Sequence, residues 1–247
     1  MDILYIVMPA YNEQDNIQSV LEEWYPIIEL HNGDNASRLV VFNDGSTDNT
    51  KSILEKFAQT HPLFVPISKE NSGHGNTVRM AYDYAISHGA DYVFQTDSDG
   101  QTKASEFEEF WNLRHEYAFI AGWRKNRQDG RARIIVSEVL RIFVKLLYHT
   151  NVMDANVPYR LMNAKKLETN LSLIPEDYFL INVALSALFC KDSEAFHYIP
   201  ITFKPRCGGK NSINMRSIIK IGFQFIFDFH RINAKILKIK TSLGKRH

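Results

Sequence analysis

The stretch ILYIVM (3–8), followed directly by PAYNE (9–13), sets the pattern that decides the fold. A short run of β-branched, aliphatic and aromatic residues predicts a buried strand, and the polar loop behind it marks the end of that strand. Four further runs of this kind follow, at residues 39–42, 63–67, 92–96 and 117–121. The sequence therefore predicts five short strands spread over its first half.

Helical patterns separate the first four predicted strands. In each interval the apolar residues recur at the spacing of one helix face. They are Ile17, Val20, Leu21, Trp24, Ile27 and Ile28, then Ile53, Leu54 and Phe57, then Val78, Ala81, Tyr82 and Ala85. We expect Thr47 or Asp48 to cap the second helix. This alternation predicts an α/β fold with a mostly parallel central sheet and helices on both faces.

The second half of the chain has a weaker pattern. Apolar residues from Val136 to Leu147 predict a helix, as do residues 178–189, and a strand is expected near residues 198–203. Residues 218–239 are apolar with interspersed lysines and arginines, and their length favours a helix.

Composition limits the class of protein. With 247 residues, 45% apolar and 23% charged, the chain is expected to form one globular domain with an appendage, which excludes a disordered or fibrous protein. Its 2 cysteines form no CxxC, which excludes a disulfide scaffold and a cysteine-based zinc site. No signal-peptide pattern or membrane-spanning apolar run is found, so we expect the protein in the cytosol.

Charge is distributed unevenly along the chain. Residues 207–247 contain nine Lys or Arg and one acid, a net charge of +8, which leaves −7 on residues 1–206. We therefore divide the chain into a domain at 1–212 and a basic amphipathic segment at 213–247. This segment favours peripheral binding to an anionic membrane surface, although a core-packing or dimerising helix would show the same pattern. Nucleic acid is not expected as a partner, since no recognition motif accompanies the charge.

The loops after the first three strands carry residues suited to a nucleotide. In an open α/β sheet, ligands bind at the carboxyl ends of the strands. Tyr11 could stack on a base and Glu13 could hold a ribose hydroxyl, whereas the GxGxxG and P-loop motifs are absent. Asp44 ends the second strand, and Gly73 and Gly75 would let the backbone pass close to a ligand.

The loop after the fourth strand, TDSDGQ (96–101), holds two carboxylates two residues apart. Asp97 and Asp99 repel each other unless a cation lies between them, and their hard oxygen ligands suit Mg²⁺ or Mn²⁺. Such a cation could neutralise the charge of a departing diphosphate. A solvated acidic turn is the alternative, and an EF-hand does not fit this spacing.

Taken together, the four loops resemble those of the GT-A fold glycosyltransferases of family 2. The matching stretches are VMPAYNEQDNI (7–17), VFNDGSTDNT (41–50), NSGHGNT (71–77) and TDSDGQ (96–101). The resemblance implies an inverting, metal-dependent transfer of a sugar from a UDP- or GDP-linked donor. It also implies the residues that bind the nucleotide sugar, which are Pro9, Tyr11, Glu13, Asp44, Gly73, Gly75, Asp97 and Ser98. By the same resemblance, Asp97, Asp99 and Gln101 would hold the metal.

The second half is similar to the polyprenyl (dolichyl) phosphate sugar synthase branch of that family. The similar stretches are GWR (122–124), DANVPYR (154–160) and FKPRCGGK (203–210). The resemblance implies that donor or acceptor phosphates are met by Arg124, Arg133, Arg206 and Lys210. The guanidinium fork suits phosphate geometry.

Three departures from the branch leave the acceptor open. Pro158, Tyr159 and Arg160 stand where the branch usually has Gly-Phe-Lys/Arg, and Asn182 stands where it often has Glu. The transmembrane extension of many members is also missing.

A general base is needed only if the acceptor is a sugar hydroxyl. Asp177, at the start of a predicted helix, is then our candidate beside Asp99 and Arg124 as catalytic residues, and Asp154 is a further one. A first-turn acid that favours the helix dipole is the alternative for Asp177. A polyprenyl phosphate acceptor is already an anion and requires no base.

We therefore expect a glycosyltransferase at the cytosolic face of a membrane, acting on a lipid-linked acceptor. Transfer to a saccharide hydroxyl and a non-catalytic nucleotide-sugar module are the alternatives. A sugar-nucleotide pyrophosphorylase is disfavoured, because it would carry a GxGxR-type loop where this chain has residues 9–13.

Overall fold

A computed structural model describes residues 2–33, 36–124, 141–142, 144–146, 150, 152–178, 180–191, 196–205 and 231. The strands within these residues are β1 Leu4–Ala10, β2 Arg38–Asp44, β3 Phe64–Lys69, β4 Tyr92–Thr96, β5 Phe119–Arg124, β6 Tyr159–Asn163 and β7 Phe196–Ile201. The helices are α1 Ile17–Leu30, α2 Thr50–Ala58, α3 His74–Ser87, α4 Phe107–Asn112, α5 Ala164–Leu173 and α6 Ile181–Cys190. A 3₁₀ turn at Ala104–Glu106 precedes α4.

The strands form one sheet in the order β3-β2-β1-β4-β6-β5-β7. Neighbouring strands pair in parallel except at β6, which runs antiparallel to both β4 and β5. The predicted mostly parallel sheet is confirmed. Because β6 is reversed, β5 runs in the same direction as β4, and the start of β6 lies beside the end of β4, where Tyr159 pairs with Thr96. The carboxyl ends of β1, β2, β4 and β5 therefore share one edge of the sheet.

Helices cover both faces of this sheet, as predicted. Successive residues of a strand point to opposite faces, and β4 shows the two environments. The Phe94 ring packs against Trp24 of α1, with the ring centroids 5.3 Å apart. The next residue, Gln95, faces α3 and α6, where its side chain meets Tyr82 and Asn182. Apolar groups therefore fill one side of β4, and a buried polar cluster lies on the other.

The boundaries of several elements differ from the sequence-based expectation. The helix predicted at 178–189 begins only at Ile181, because residues 175–178 form a turn. The late strand spans Phe196–Ile201 rather than residues 198–203. Helix α2 begins at Thr50, so Asn49 and not the expected Thr47 or Asp48 stands at the N-cap position. Asp48 still accepts a hydrogen bond from the Thr50 amide at 3.0 Å.

Two elements were incompletely predicted. The antiparallel strand β6 was not predicted. It carries no hairpin signal, because its partners β4 and β5 lie far from it in the sequence. The helix predicted from Val136 to Leu147 falls mostly outside the described residues, of which 141–142 and 144–146 are helical.

We predict that Phe94→Ala lowers the free energy of unfolding by about 3–5 kcal/mol, because the phenyl ring fills a fully buried site and truncation leaves a cavity. Chemical denaturation measures this change. Met80→Ala, on the exposed side of α3, should change the value by less than about 0.5 kcal/mol. Equal effects of the two substitutions would contradict this assignment of the core.

Candidate active site

The loops that follow β1 and β2 are joined by hydrogen bonds. The Asn12 amide donates to Ser46 Oγ at 3.0 Å, and the Thr47 amide donates to Asn12 Oδ1 at 2.8 Å. One residue further, the Glu13 amide donates to Thr50 Oγ1 at 2.9 Å. Asn12 has a φ of 54°, a left-handed conformation that asparagine tolerates better than most residues. The two loops therefore form one unit at the edge of the sheet.

Of the residues expected to hold the nucleoside in this unit, Tyr11 is 48% exposed and Glu13 is buried. The Glu13 carboxylate accepts a hydrogen bond from Asn16 Nδ2 at 3.0 Å. Pro9 is the penultimate residue of β1, and its carbonyl accepts a hydrogen bond from Ser98 Oγ at 2.8 Å. The exposed ring of Tyr11 fits the predicted stacking platform. The partly engaged Glu13 carboxylate would have to reach a ribose from a buried position.

Asp44 is buried and binds the loop between β3 and α3, residues 70–73, here called the glycine loop. Its carboxylate accepts hydrogen bonds from the amides of Ser72 at 2.8 Å and Gly73 at 3.0 Å, and it forms an ion pair with Lys69. Burial by itself would raise the pKa of Asp44, but the hydrogen bonds from Lys69 and from the Ser72 backbone outweigh it and hold the pKa below its ordinary value. Asp44 therefore fixes the loop that leads into α3. Its predicted nucleoside contact stays a prediction.

Gly45 lets the glycine loop approach the end of β2. It has a φ of +67°, and a Cβ on it would lie 2.7 Å from the Asn71 backbone nitrogen. The end of β2 also holds the Asn71 side chain, because Asn71 Nδ2 donates to the Asp44 carbonyl at 2.9 Å. Gly73, whose φ is +87°, has no atom within 4 Å of a built Cβ, and Gly75 is buried in the first turn of α3. The backbone near Gly73 is therefore open to a ligand.

The loop after β4 is anchored at three points. Ser98 is buried and donates to the carbonyl of Pro9, and the hydroxyls of Thr96 and Thr102 lie 2.8 Å apart. Gln101 is also buried, with its Nε2 donating to the Lys204 carbonyl at 2.8 Å and its own carbonyl accepting from the Lys204 amide at 2.7 Å. The anchors lie on the residues that flank the two carboxylates, so the loop is braced from both sides.

Asp97 and Asp99 are both partly exposed in this braced loop. Asp97 Oδ1 accepts from Gln95 Nε2 at 3.2 Å, and Asp99 Oδ1 accepts from the Gln101 amide at 3.1 Å. Gln101 could contribute only its carboxamide oxygen to a metal. Among the described residues, no group of three or more His, Cys, Asp or Glu side chains is placed to hold a metal ion.

The residues present fit a cation that the protein shares with a diphosphate. Mg²⁺ and Mn²⁺ take hard oxygen ligands, and Mg²⁺ is commonly bound by one or two carboxylates together with substrate phosphates and water. Asp97 and Asp99 supply those two carboxylates at the carboxyl edge of the sheet. They do not make a complete cage of their own, so the remaining ligands would come from the bound substrate.

Arg124 ends β5 at the same edge and is paired with Asp154. Its Nε donates to Asp154 Oδ2 at 2.6 Å, and Nη2 donates to Oδ1 at 2.8 Å, while the guanidinium carbon lies 4.9 Å from the centre of the Phe203 ring. Both members of the pair are buried. Asp154 therefore holds Arg124 in place, which makes it a poor candidate for a general base. A phosphate would have to meet the guanidinium on an edge other than the paired one.

Asp177 lies in the turn before α6 with its side chain 69% exposed. It forms a two-point ion pair with Arg231, at 2.8 and 3.1 Å, and the hydrogen bonds from that guanidinium lower the pKa of Asp177. A carboxylate with a lowered pKa is a weaker base. Its predicted role as general base gains no support from this geometry.

Three predicted phosphate-binding residues, Arg133, Arg206 and Lys210, lie outside the described residues, as does segment 213–247 apart from Arg231. The structure therefore leaves these predictions and the predicted domain boundary untested.

A buried polar cluster beneath Asp97 was missed in the sequence. Asn182 Nδ2 donates to Gln95 Oε1 at 3.1 Å, and Tyr82 OH donates to Asn182 Oδ1 at 2.9 Å. Gln95 in turn reaches Asp97, so the cluster ends on one of the predicted metal ligands. One signal was available, since a glutamine in the otherwise apolar strand YVFQT (92–96) predicts a buried group that needs partners.

Comparison with known proteins points to one family. The profile described as Glycosyl transferase family 2 matches residues 5–183. A dolichyl-phosphate beta-glucosyltransferase of Trichomonas vaginalis is 34% identical over 107 residues, which is 42% of this chain and 31% of the relative. This chain thus spans about a third of the length of that relative. A polyprenol monophosphomannose synthase of Mycolicibacterium smegmatis is 20% identical over 228 residues, 89% of this chain and 84% of the relative.

Solved structures show a similar fold. A glucosyl-3-phosphoglycerate synthase of Mycobacterium tuberculosis, crystallised with Mn²⁺ and UDP-glucose, aligns with a TM-score of 0.67 at 16% identity. The alignment covers 94% of this chain and 79% of that one. The predicted GT-A fold is confirmed. Among the described residues, no helix combines the length and the apolar character needed to cross a membrane.

We predict that Gly45→Ala destabilises the protein more than Gly89→Ala. Both glycines have positive φ, and the left-handed conformation costs an alanine about 1–2 kcal/mol at either position. Only at Gly45 does the added methyl group also meet a backbone atom, which should cost a further ~1–3 kcal/mol. Chemical denaturation of both variants measures the difference. Equal losses would show that the glycine loop does not need its close approach to β2.

We predict that the ion-paired Asp44 makes stability depend on pH in the acid range. Because the pKa is lower in the folded protein than the ordinary value of about 3.9, its contribution is complete above that value and is lost as the pH falls through the folded pKa. The difference in unfolding free energy between wild type and Asp44→Asn should therefore shrink from pH 6 to pH 3. A difference that stays constant or widens over that range would refute the assignment.

Proposed function

Because the chain belongs to glycosyl transferase family 2, we propose that it transfers a sugar from a nucleoside diphosphate donor to the phosphate of a polyprenyl phosphate. The observation that carries the proposal is the pair Asp97 and Asp99 in a braced loop, next to the linked loops of β1 and β2. This arrangement provides carboxylates for a cation and an exposed aromatic ring for a base at one edge of the sheet.

The donor side follows from the positions of the loops. Tyr11 would stack on the base, and the open backbone at Gly73 would face the ligand. Asp97 and Asp99 would hold Mn²⁺ or Mg²⁺, which when bound supplies positive charge to the leaving diphosphate. The Mn²⁺ and UDP-glucose bound by the synthase of similar fold support this choice of ligands.

The proposed reaction is a single displacement at the anomeric carbon. An acceptor phosphate oxygen forms a bond to that carbon on one side while the bond to the donor diphosphate breaks on the other, and the bonding electrons leave with the nucleoside diphosphate. The attacking oxygen is already an anion, so no proton has to be removed. A reaction without a general base agrees with the position of Asp177, whose side chain is exposed and forms an ion pair with Arg231.

The polyprenyl phosphate acceptor is supported by the relatives, whose names include a dolichyl-phosphate glucosyltransferase and a polyprenol monophosphomannose synthase. Arg124, held in position by its pair with Asp154, would meet a phosphate together with Arg133, Arg206 and Lys210. Because such an acceptor is anchored in a bilayer, the enzyme would work at a membrane surface, and we propose the cytosolic side. The basic segment 213–247 would contribute binding to anionic lipid.

The direct test is a transfer assay with purified protein, Mn²⁺ and a panel of UDP- and GDP-sugars. A polyprenyl phosphate in detergent serves as the acceptor, and mass spectrometry detects the glycolipid. The matching polyprenol without phosphate and a set of free saccharides are the comparison acceptors. We expect product only with the phosphorylated lipid. Transfer to saccharides alone, or nucleotide binding without transfer from any donor, would contradict the proposed function.

We predict that Asp99→Ala lowers kcat/KM by at least about 100-fold, because the leaving diphosphate loses much of its charge stabilisation. The same assay measures the loss, and excess chelator should abolish the wild-type activity. Glu109→Ala, which removes an exposed carboxylate from α4, should retain full activity. Full turnover of the wild type in excess chelator would refute the metal requirement.

A further inference from the structure

We infer that Gln95 is a positioning residue for Asp97, and that Asn182 and Tyr82 fix the direction in which the Gln95 amide points. This inference rests on the proposed function, since it assigns Asp97 to the cation site. The three residues, here called the buried relay, reach Asp97 from the face of β4 opposite Phe94. These residues would not touch substrate, but they would change the affinity of the site for its cation.

The buried relay is continuous and closed to solvent. Tyr82 and Gln95 have no exposed surface, and Asn182 is 3% exposed. Successive donor–acceptor distances are 2.9 Å from Tyr82 to Asn182, 3.1 Å from Asn182 to Gln95 and 3.2 Å from Gln95 to Asp97. The residues come from α3, α6 and β4, so three separate elements must pack correctly to complete it. Buried amides and hydroxyls left without partners would be costly, which favours this one arrangement.

The direction of the relay is set at Asp97, because a carboxylate can only accept a hydrogen bond. The neutral Tyr82 hydroxyl is compatible with this direction, since it donates to Asn182 Oδ1 at 2.9 Å and lies 3.4 Å from Gln95 Oε1 as a further acceptor. The Asn182 amide must then present its NH₂ group to Gln95 Oε1. Since the Gln95 oxygen is thereby occupied as an acceptor, its NH₂ group is directed at Asp97 Oδ1. A reversed Gln95 amide would place two oxygens against each other and repel Asp97.

A buried guanidinium supports the relay at Asn182. Arg160 has no exposed surface, and its guanidinium donates to the carbonyls of Asn182 at 2.9 Å and Val157, among other neutral acceptors. Burial lowers the pKa of the Arg160 guanidinium, and its interactions with Tyr82 and Asp154, and more weakly with Tyr198 and Asp97, partly offset that shift. The hydrogen bond from Arg160 to the Asn182 backbone holds the start of α6 in place.

The consequence is an Asp97 carboxylate that is oriented before any cation arrives. Groups that hydrogen-bond to a metal ligand fix its orientation, and their removal typically lowers metal affinity by about 10–100-fold. We therefore expect loss of the Gln95 donor to weaken Mn²⁺ binding while both DxD carboxylates remain. Loss of the two residues behind Gln95 should weaken it less, because a freed amide still points at Asp97 part of the time.

The test compares three variants of the full chain by Mn²⁺ titration, with electron paramagnetic resonance reporting free Mn²⁺. Saturating UDP or GDP, whichever the wild type binds, is present throughout. Gln95→Met removes the donor at similar size, and Tyr82→Phe combined with Asn182→Leu removes the groups that orient Gln95. Ser186→Ala is the matched control. It deletes a buried hydroxyl one turn further along α6, which donates to Asn182 O and Ala155 O and lies 3.4 Å from Arg160 Nη1. The hydrogen bonds from Tyr82 through Asn182 and Gln95 to Asp97 stay in place.

We expect Gln95→Met to raise the Kd for Mn²⁺ by at least about 10-fold, and the double variant by about 3- to 10-fold. Ser186→Ala should lower the melting temperature with an unchanged Kd. If both relay variants bind Mn²⁺ with the Kd of the control, the inference is overturned. If one relay variant does not fold, the Kd of the other is the test. A wild type that binds no Mn²⁺ with either nucleotide would instead overturn the metal site of the proposed function, and the inference with it.

Discussion

Two carboxylates placed two residues apart in one braced loop, Asp97 and Asp99, are the constraint on which the rest of the site depends. Such a pair destabilises its loop unless the surrounding structure holds it. Here the holding bonds lie on neighbouring residues: Ser98 to β1, Thr96 to Thr102, and Gln101 to the chain after β7. The loop is thereby fixed during folding, and a cation that arrives with a diphosphate would meet two carboxylates already in place. Preorganisation of this kind favours binding, because little ordering is left to do.

Elsewhere at this edge of the sheet, charged residues are also held by partners within the protein. Asp44 is occupied by Lys69 and the glycine loop, and Arg124 is occupied by Asp154, although both were predicted to touch substrate. Their buried charges are compensated within the protein, as burial requires. Beside Arg124, substrate groups would meet the backbone at Gly73, which Asp44 holds through the Gly73 amide, and the exposed ring of Tyr11.

Local pattern was sufficient to predict the class of fold and the first four strands, because each apolar run ends in a loop of recognisable chemistry. It was insufficient for β6, whose pairing with β4 and β5 depends on long-range register. The residue types at the site were also readable, as at Asp97 and Asp99. The pairing of Asp44 with Lys69, and of Asp154 with Arg124, was not readable, since these contacts join residues 25 and 30 positions apart. The only sign of the buried relay in the sequence was a glutamine, Gln95, in an otherwise apolar strand.

The central claim is that protein and diphosphate share one cation, and calorimetric titration of Mn²⁺ with and without nucleotide tests it most directly. Two carboxylates give incomplete coordination, so bound UDP or GDP should tighten Mn²⁺ binding by about 10-fold or more, and Mn²⁺ should tighten nucleotide binding by the same factor. The account is contradicted if Mn²⁺ binds equally well to the protein alone, or if the nucleotide binds with an affinity that Mn²⁺ leaves unchanged.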